Sequence, residues 1–226
     1  MNDPGFSLVV PPPAELPIFP LPGAMLLPRG RMPLNIFEPR YLRMVSDSLG
    51  AGRMIGMIQP SEPQPGLVED DCMLFDVGCV GRIVQFAETG DGRFLITLAG
   101  QTRFRVAEEI AGRGGYRRVR ADITRFAADL EPAPEAVAFD RDGLLAALRA
   151  YFQRRGFDAN WDAIAKMPDD TLVVTLAMVC PFNAAEKQAL LEASDEDERA
   201  RTLRTLLEID THQPNEPGPD RPIRAS

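Results

Sequence analysis

The chain has 226 residues, 45% of them apolar, and a formal net charge of −8. That length admits one large domain or two small ones with a sizeable core, and the acidity gives no general reason to expect nucleic acid or acidic lipid as a partner. No apolar run approaches the roughly 20 residues that span a bilayer, and the start, MNDPGFSLVVPPP, lacks the pattern of a secretory signal; a cytoplasmic protein without membrane contact is expected.

Residues 1–14 are proline-rich and expected to be flexible. The segment 16–45, LPIFPLPGAMLLPRGRMPLNIFEPRYLRMV, carries prolines at 17, 20, 22, 28, 33 and 39. Each proline removes a backbone donor, so brief extended pieces joined by fixed turns are predicted rather than a continuous helix or central strand. Pro39 then opens a helix, where a missing N–H costs nothing. Tyr41, Leu42, Val45 and Leu49 form its apolar face, and Gly50 and Gly52 end it. RMIGMI over 53–58 reads as a buried strand and QPSEPQPG over 59–66 as a loop.

Residues 73–88 form a long strand pattern interrupted by Gly78 and Gly81, which mark bends suited to a curved sheet. TGDG at 89–92 is a hairpin turn signal, and RFLITLAG returns antiparallel. TRFRVAEEI and YRRVRADITRF alternate apolar and charged residues around a glycine-rich tip at 112–115, the two-residue period of half-buried strands. A linker is expected over 127–136. Beyond it a helix runs through Leu144, Leu145, Leu148, Tyr151 and Phe152 to Gly156. Asp158 is predicted to cap a short helix with Trp161 and Ile164, and Asp169 to cap one ending before Pro181. Asn183 with Glu186 has the capping-box form. Ser194, followed by three acids, opens a last helix that buries Ala200, Leu203 and Leu207. From 211 the tail is expected to be disordered.

Strands precede helices, so the fold class is α+β: a bent antiparallel sheet with one early helix, then a helical bundle. The boundaries are a flexible 1–14, a β-rich 15–126, a linker 127–136, a helical 137–210 and a tail 211–226.

The familiar catalytic constellations are missing. The lysines, Lys166 and Lys187, follow Ala and Glu, so no Walker-type phosphate loop exists. Ser194 and Lys187 are placed on solvated helix surfaces rather than in a peptidase dyad. The one histidine, His212, lies in the tail, and Cys72, Cys79 and Cys180 lack metal-binding spacing, so they are read as buried small residues. No catalytic residue, metal or cofactor is expected.

Four stretches carry a family resemblance: LPIFPLPGAMLLPRGRMPLNIFEPRY from residue 16, DVGCVGRIVQF from 76, DGRFLITLAGQTRFRV from 91 and CPFNAAEKQALLEA from 180. In this order and spacing they resemble the Lon protease amino-terminal (substrate-binding) domain over nearly the whole chain. The resemblance implies a free-standing bacterial form without ATPase or peptidase, with a PUA-like β pseudo-barrel followed by helices. It further implies a non-catalytic module that binds exposed apolar segments of unfolded proteins, or a component of the proteolysis machinery. Phe37, Glu38, Arg40 and Tyr41 form its most family-typical cluster. They read either as a peptide-contacting surface or as helix-start chemistry, with Glu38 capping, Arg40 pairing locally, and Phe37 and Tyr41 pinning the helix to the sheet.

Methionines 25, 32, 44, 54, 57 and 73 are dense, and flexible thioethers suit surfaces that accept many apolar peptides as well as cores. Met25, Leu26, Leu27 and Met32, if exposed together, would form the first peptide-binding patch to test. An alternative is RNA binding through Arg103, Arg105, Arg117, Arg118 and Arg120. The acidity and the absence of aromatics clustered beside them count against it.

Overall fold

The computed structural model describes residues 12–62, 71–132 and 139–212. The flexible 1–14, the loop 59–66, the linker 127–136 and the tail 211–226 fall wholly or partly outside those residues. The elements are β1 (Glu15–Pro20), β2 (Arg31–Ile36), α1 (Pro39–Leu49), β3 (Met54–Ile58), β4 (Val77–Glu88), β5 (Phe94–Arg113) and β6 (Tyr116–Asp122). A 3-10 helix (Thr124–Leu130) follows, then α2 (Arg141–Arg155), α3 (Trp161–Ala165), α4 (Asp169–Val179), α5 (Ala184–Glu192) and α6 (Glu196–His212).

The six strands form one sheet in the order β2-β5-β4-β3-β1-β6, and β5 also pairs with β6, so five strands close into a ring with β2 beside it. Closure is possible because β5 is 20 residues long. Its first half pairs with β2 and β4, and its second half turns to β6. Register shifts at Val80/Gly81 and Ile83/Gln85 bend β4 where glycine interrupts the pattern. Every pairing is antiparallel except β1–β3, where Ile18 lies opposite Gly56 in parallel register. The connection that a parallel pair requires is supplied by β2 and α1.

Side-chain alternation divides the apolar residues between two faces of the ring. Leu16, Ile18, Met54, Ile58, Val80, Phe104 and Val119 form one buried cluster, drawn from all five ring strands. A second, continuous cluster packs the opposite face against the helices and runs from Phe19 and Tyr41 through Leu144 and Tyr151 to Leu207. β3 serves both faces and is buried throughout.

Helix starts follow their capping chemistry, with three differences from expectation. Asn183 makes the full capping box with Glu186, at 2.9 and 2.8 Å. α3 is capped by Asn160, which accepts from the Ala163 N–H at 3.0 Å, and not by Asp158. Asp169 is already the first residue of α4, behind Pro168. At α6 it is Asp195, one residue after Ser194, that accepts from the Glu198 N–H at 2.8 Å. Arg141 of α2 holds the end of α3, donating to the carbonyls of Ala165 (2.9 Å) and Met167 (2.8 Å) and pairing with Asp169. Arg141→Ala is expected to cost about 1–2 kcal/mol and to speed amide exchange at the start of α4.

A buried charge cluster ties the sheet to the helices. Arg103 of β5 meets Asp129 with Nε and Nη2 at 2.8 Å each, and its Nη1 donates to the carbonyls of Leu191 and Ala193. Arg199 of α6 donates from Nε to the Leu190 carbonyl at 3.0 Å. Two guanidiniums thus satisfy the orphan carbonyls where α5 ends. Burial, with Arg103 close by, pushes the Arg199 guanidinium down to about 10.

Candidate functional site

β2, the first half of β5 and the far half of β4 extend past the ring as a three-stranded arm. One face of the arm turns Met32, Leu34, Ile36, Ile96, Leu98 and Ile83 toward the core. The register shift at Ile83/Gln85 then leaves Val84 as the extra residue and sets Phe86 opposite Ile96. Phe86 stacks edge-to-face on Phe94, with ring centroids 5.0 Å apart, beyond the point where the core covers that face. Phe37, directly after the Ile36–Phe94 pair, is 55% exposed, and Leu95, on the other face, is 47% exposed.

Phe37, Val84, Phe86 and Leu95 make up four of the eight exposed large apolar side chains among the described residues, which singles out this arm as the apolar surface. Pro33, Asn35, Leu95, Thr97, Gln85 and Ala87 border a shallow hollow of about 610 Å³ on the outer side. Its polar floor is spanned by the bond from Thr97 Oγ1 to Gln85 Oε1, 2.8 Å. β2 is the outer strand, and its central Pro33 stands where no N–H is needed toward β5. The same proline blunts the strand edge against added strands, so side chains rather than backbone define this surface.

The sequence-derived candidates scatter. Met25, Leu26 and Leu27 are buried in the core, and Met32 is half-buried against it. The condition of shared exposure is not met, so the peptide-binding patch considered for these four is corrected to core packing. Met25, Leu26 and Leu27 form a consecutive apolar run without alternation and join the core cluster, while Met32 in β2 turns toward that core. Tyr41 is buried with its ring 4.2 Å from Phe19, and Arg40 lies over it at 4.7 Å while bonding Glu38 at 3.1 and 2.9 Å. Glu38 precedes α1 but makes no side-chain cap. Of the seven candidates only Phe37 reaches the arm surface. Strand alternation in the sequence does not reveal the bulge that makes Val84 the extra residue and sets Phe86 on the face of Ile96, whereas Leu95 is the ordinary outward residue between Phe94 and Ile96.

The arginines of the RNA alternative are largely occupied. Arg103 is buried in the charge cluster. Arg117 is bidentate to Glu109 at 2.6 Å and donates to the Cys72 carbonyl at 2.7 Å. Arg118 pairs with Glu15, Arg120 with Glu108, and Arg105 stands opposite Asp122. Phosphates would have to displace these carboxylates, so the strand face is not a free cationic surface.

Lys187 is another correction: it is buried, not solvated, and its Nζ donates to the Gly23 carbonyl. Burial holds its ammonium below the usual lysine value. Ser194 instead bonds Asp195 and Glu198, so the two do not form a dyad. Cys72, Cys79 and Cys180 are free and buried, and burial pushes the Cys180 thiol up to about 12, away from nucleophilic use. Among the described residues no group of three or more His, Cys, Asp or Glu could hold a metal ion, and no helix is long and apolar enough to cross a membrane.

The family model for the ATP-dependent protease La (LON) substrate-binding domain matches residues 15–208. Lon protease 2 of Sorangium cellulosum is 28% identical over 215 residues, covering 85% of this chain and 24% of that protein. The Lon protease of Dictyoglomus thermophilum is 26% identical over 207 residues, again 86% of this chain but 24% of the relative. Among solved structures, the Lon N-terminal domain protein from Xanthomonas campestris superimposes with a TM-score of 0.57 at 24% identity, covering 85% of this chain and 96% of that one. The N-terminal domain of Mycobacterium avium complex Lon protease gives 0.51 at 18% identity, covering 85% and 97%. At these identities the two structures speak to the fold alone.

Proposed function

The chain belongs to the Lon substrate-binding domain family, and from that membership we propose that it is a non-catalytic recognition module whose β-arm holds apolar segments of client proteins in the service of proteolysis. The observation that carries this reading is the concentration of exposed Phe37, Val84, Phe86 and Leu95 on one three-stranded arm, with Phe86 and Leu95 on its opposite faces. Burial of apolar surface is non-directional, so a surface of this kind accepts many sequences. Paired strands already hold the side chains in place, which limits the ordering cost of binding to the client. The reading assigns the module no ATP and no cleavage, a cytoplasmic setting, and clients that expose core residues.

The test is titration of a permanently unfolded, labelled client. Fully burying one large apolar side chain contributes about 1.5–3 kcal/mol, so Leu95→Asp and Phe86→Ser should each weaken binding by roughly tenfold or more. Leu95→Asp should hardly move the melting temperature, whereas Phe86→Ser, which loses the stack on Phe94, should lower it by about 1–6 °C. Undiminished affinity in both variants would remove the arm from the mechanism.

A further inference from the structure

A second surface lies on the helical side. Arg29 and Gly30, between Leu27 and β2, and Arg31, the first residue of β2, form one wall of a cavity of about 310 Å³, and α4 forms the other. The inner face of α4, Leu172, Val173, Leu176 and Ala177, is buried in the core, and so is Val174 at its edge. The face toward the cavity presents Thr171, Val174, Thr175 and Met178, spaced as one helical stripe, with Val179 at the rim and 71% exposed. Of this stripe Val174 belongs to the core and Met178 is half-buried against it, so the apolar surface left open toward the cavity is Met178 and Val179. At the base, Gly30 lets Met178 lie against the backbone: a Cβ at position 30 would stand 2.4 Å from its sulfur. Arg29 holds this approach with φ at +65° while its N–H donates to the Gly100 carbonyl at 2.9 Å.

Charge distinguishes the cavity from a plain apolar groove. Arg29 is committed to Glu196. Arg31, next to Gly30, is exposed and has no ion-pair partner among the described residues. Asp170 stands on the opposing wall and accepts from the Thr171 hydroxyl at 3.3 Å, and Thr175 lines the same wall one turn on. A cation directly beside an apolar floor, facing an acceptor wall, matches a group that carries an anion, an apolar side chain and an N–H donor on a single residue. The geometry points to a docking site for the free carboxyl terminus of a client protein that ends in a small or medium apolar residue. The carboxylate meets Arg31, the side chain rests on Met178 and Val179, and the terminal N–H faces Asp170 or Thr175. An internal acidic residue places its anion on a separate side chain, and Asp170 opposes acidic flanks.

This inference rests on the reading that the chain binds protein segments, and it concerns a surface separate from the arm. The probe is a fluorescein-labelled decapeptide ending in Leu-Ala, prepared as the free acid and as the carboxamide, and titrated against the whole chain by anisotropy. The free acid should bind at least about tenfold more tightly, the equivalent of one charge-assisted hydrogen bond. Arg31→Gln should remove that preference with an unchanged melting curve, and Val179→Asp should weaken both peptides. Leu95→Asp on the arm should leave the preference intact. Equal binding of acid and amide, or a preference that survives Arg31→Gln, overturns the site. If unfolded clients still bind and still respond to Leu95→Asp, the recognition function stands while this site falls; if no client binds at all, the recognition reading itself fails.

Discussion

Asp129→Asn should lower the stability of the chain by about 3–5 kcal/mol, the cost of leaving a buried charge without its partner. For a domain of this size that is a fall in melting temperature of roughly 6–20 °C. Asp129 accepts three bonds from one residue, from the backbone N–H, Nε and Nη2 of Arg103, at 2.9, 2.8 and 2.8 Å. Arg199 is buried close by and already feels the Arg103 charge. Without the carboxylate two guanidiniums would face each other away from water. Arg103→Met combined with Asp129→Leu should therefore cost less than the sum of the two single changes. It will not be neutral, because the carbonyls of Leu191 and Ala193 lose their donor. Urea denaturation of the three variants checks this; a loss below about 1 kcal/mol for Asp129→Asn would show that water reaches the pair.

The second large effect lies inside the ring. Phe104→Ala should cost about 3–5 kcal/mol, as truncation of a fully buried phenyl group does. Six other side chains make up that cluster, so few neighbours are available to close the gap. The ring of Phe104 occupies space left by two glycines: a Cβ on Gly78 would stand 2.7 Å from it and one on Gly56 2.9 Å from it. Gly78 also faces the Met57 carbonyl at 2.5 Å, so Gly78→Ala has no simple remedy. Gly56 meets only side-chain ends, of Leu16 and Phe104. Gly56→Ala with Phe104→Leu should accordingly be less destabilised than the two single changes added together. Strict additivity in a thermal-melt cycle would contradict the assigned packing.

Local chemistry was readable where neighbours in sequence decide it. Pro39 at the start of α1, the TGDG hairpin and the Asn183–Glu186 box all involve bonds within four residues. Distant partners left no such mark. Alternation identifies the strands but not that β1 runs parallel to β3, nor that β5 pairs at both ends of its length. Arg103 looks like any outward arginine of a β-strand until Asp129, from the 3-10 helix, folds back onto it. Met25–Leu26–Leu27 resembled a sticky surface because a run of apolar residues has no period to show which side is covered. The arm was hidden for a related reason: a single bulge reverses parity, and Gly81 announces only the first of the two shifts in β4.

The closed ring also bears on how the chain is made. β1 takes β6 as one of its two neighbours, with Leu16 opposite Val119, so the first strand of the ring to be synthesised waits for the last of the ring. Until residue 122 has emerged, β1 and the second half of β5 each present an open edge, the condition under which nascent chains pair with one another. Pairings this far apart in sequence also make for slow folding. A fold whose reading is the capture of other proteins' exposed apolar segments thus passes through a stage in which it exposes its own.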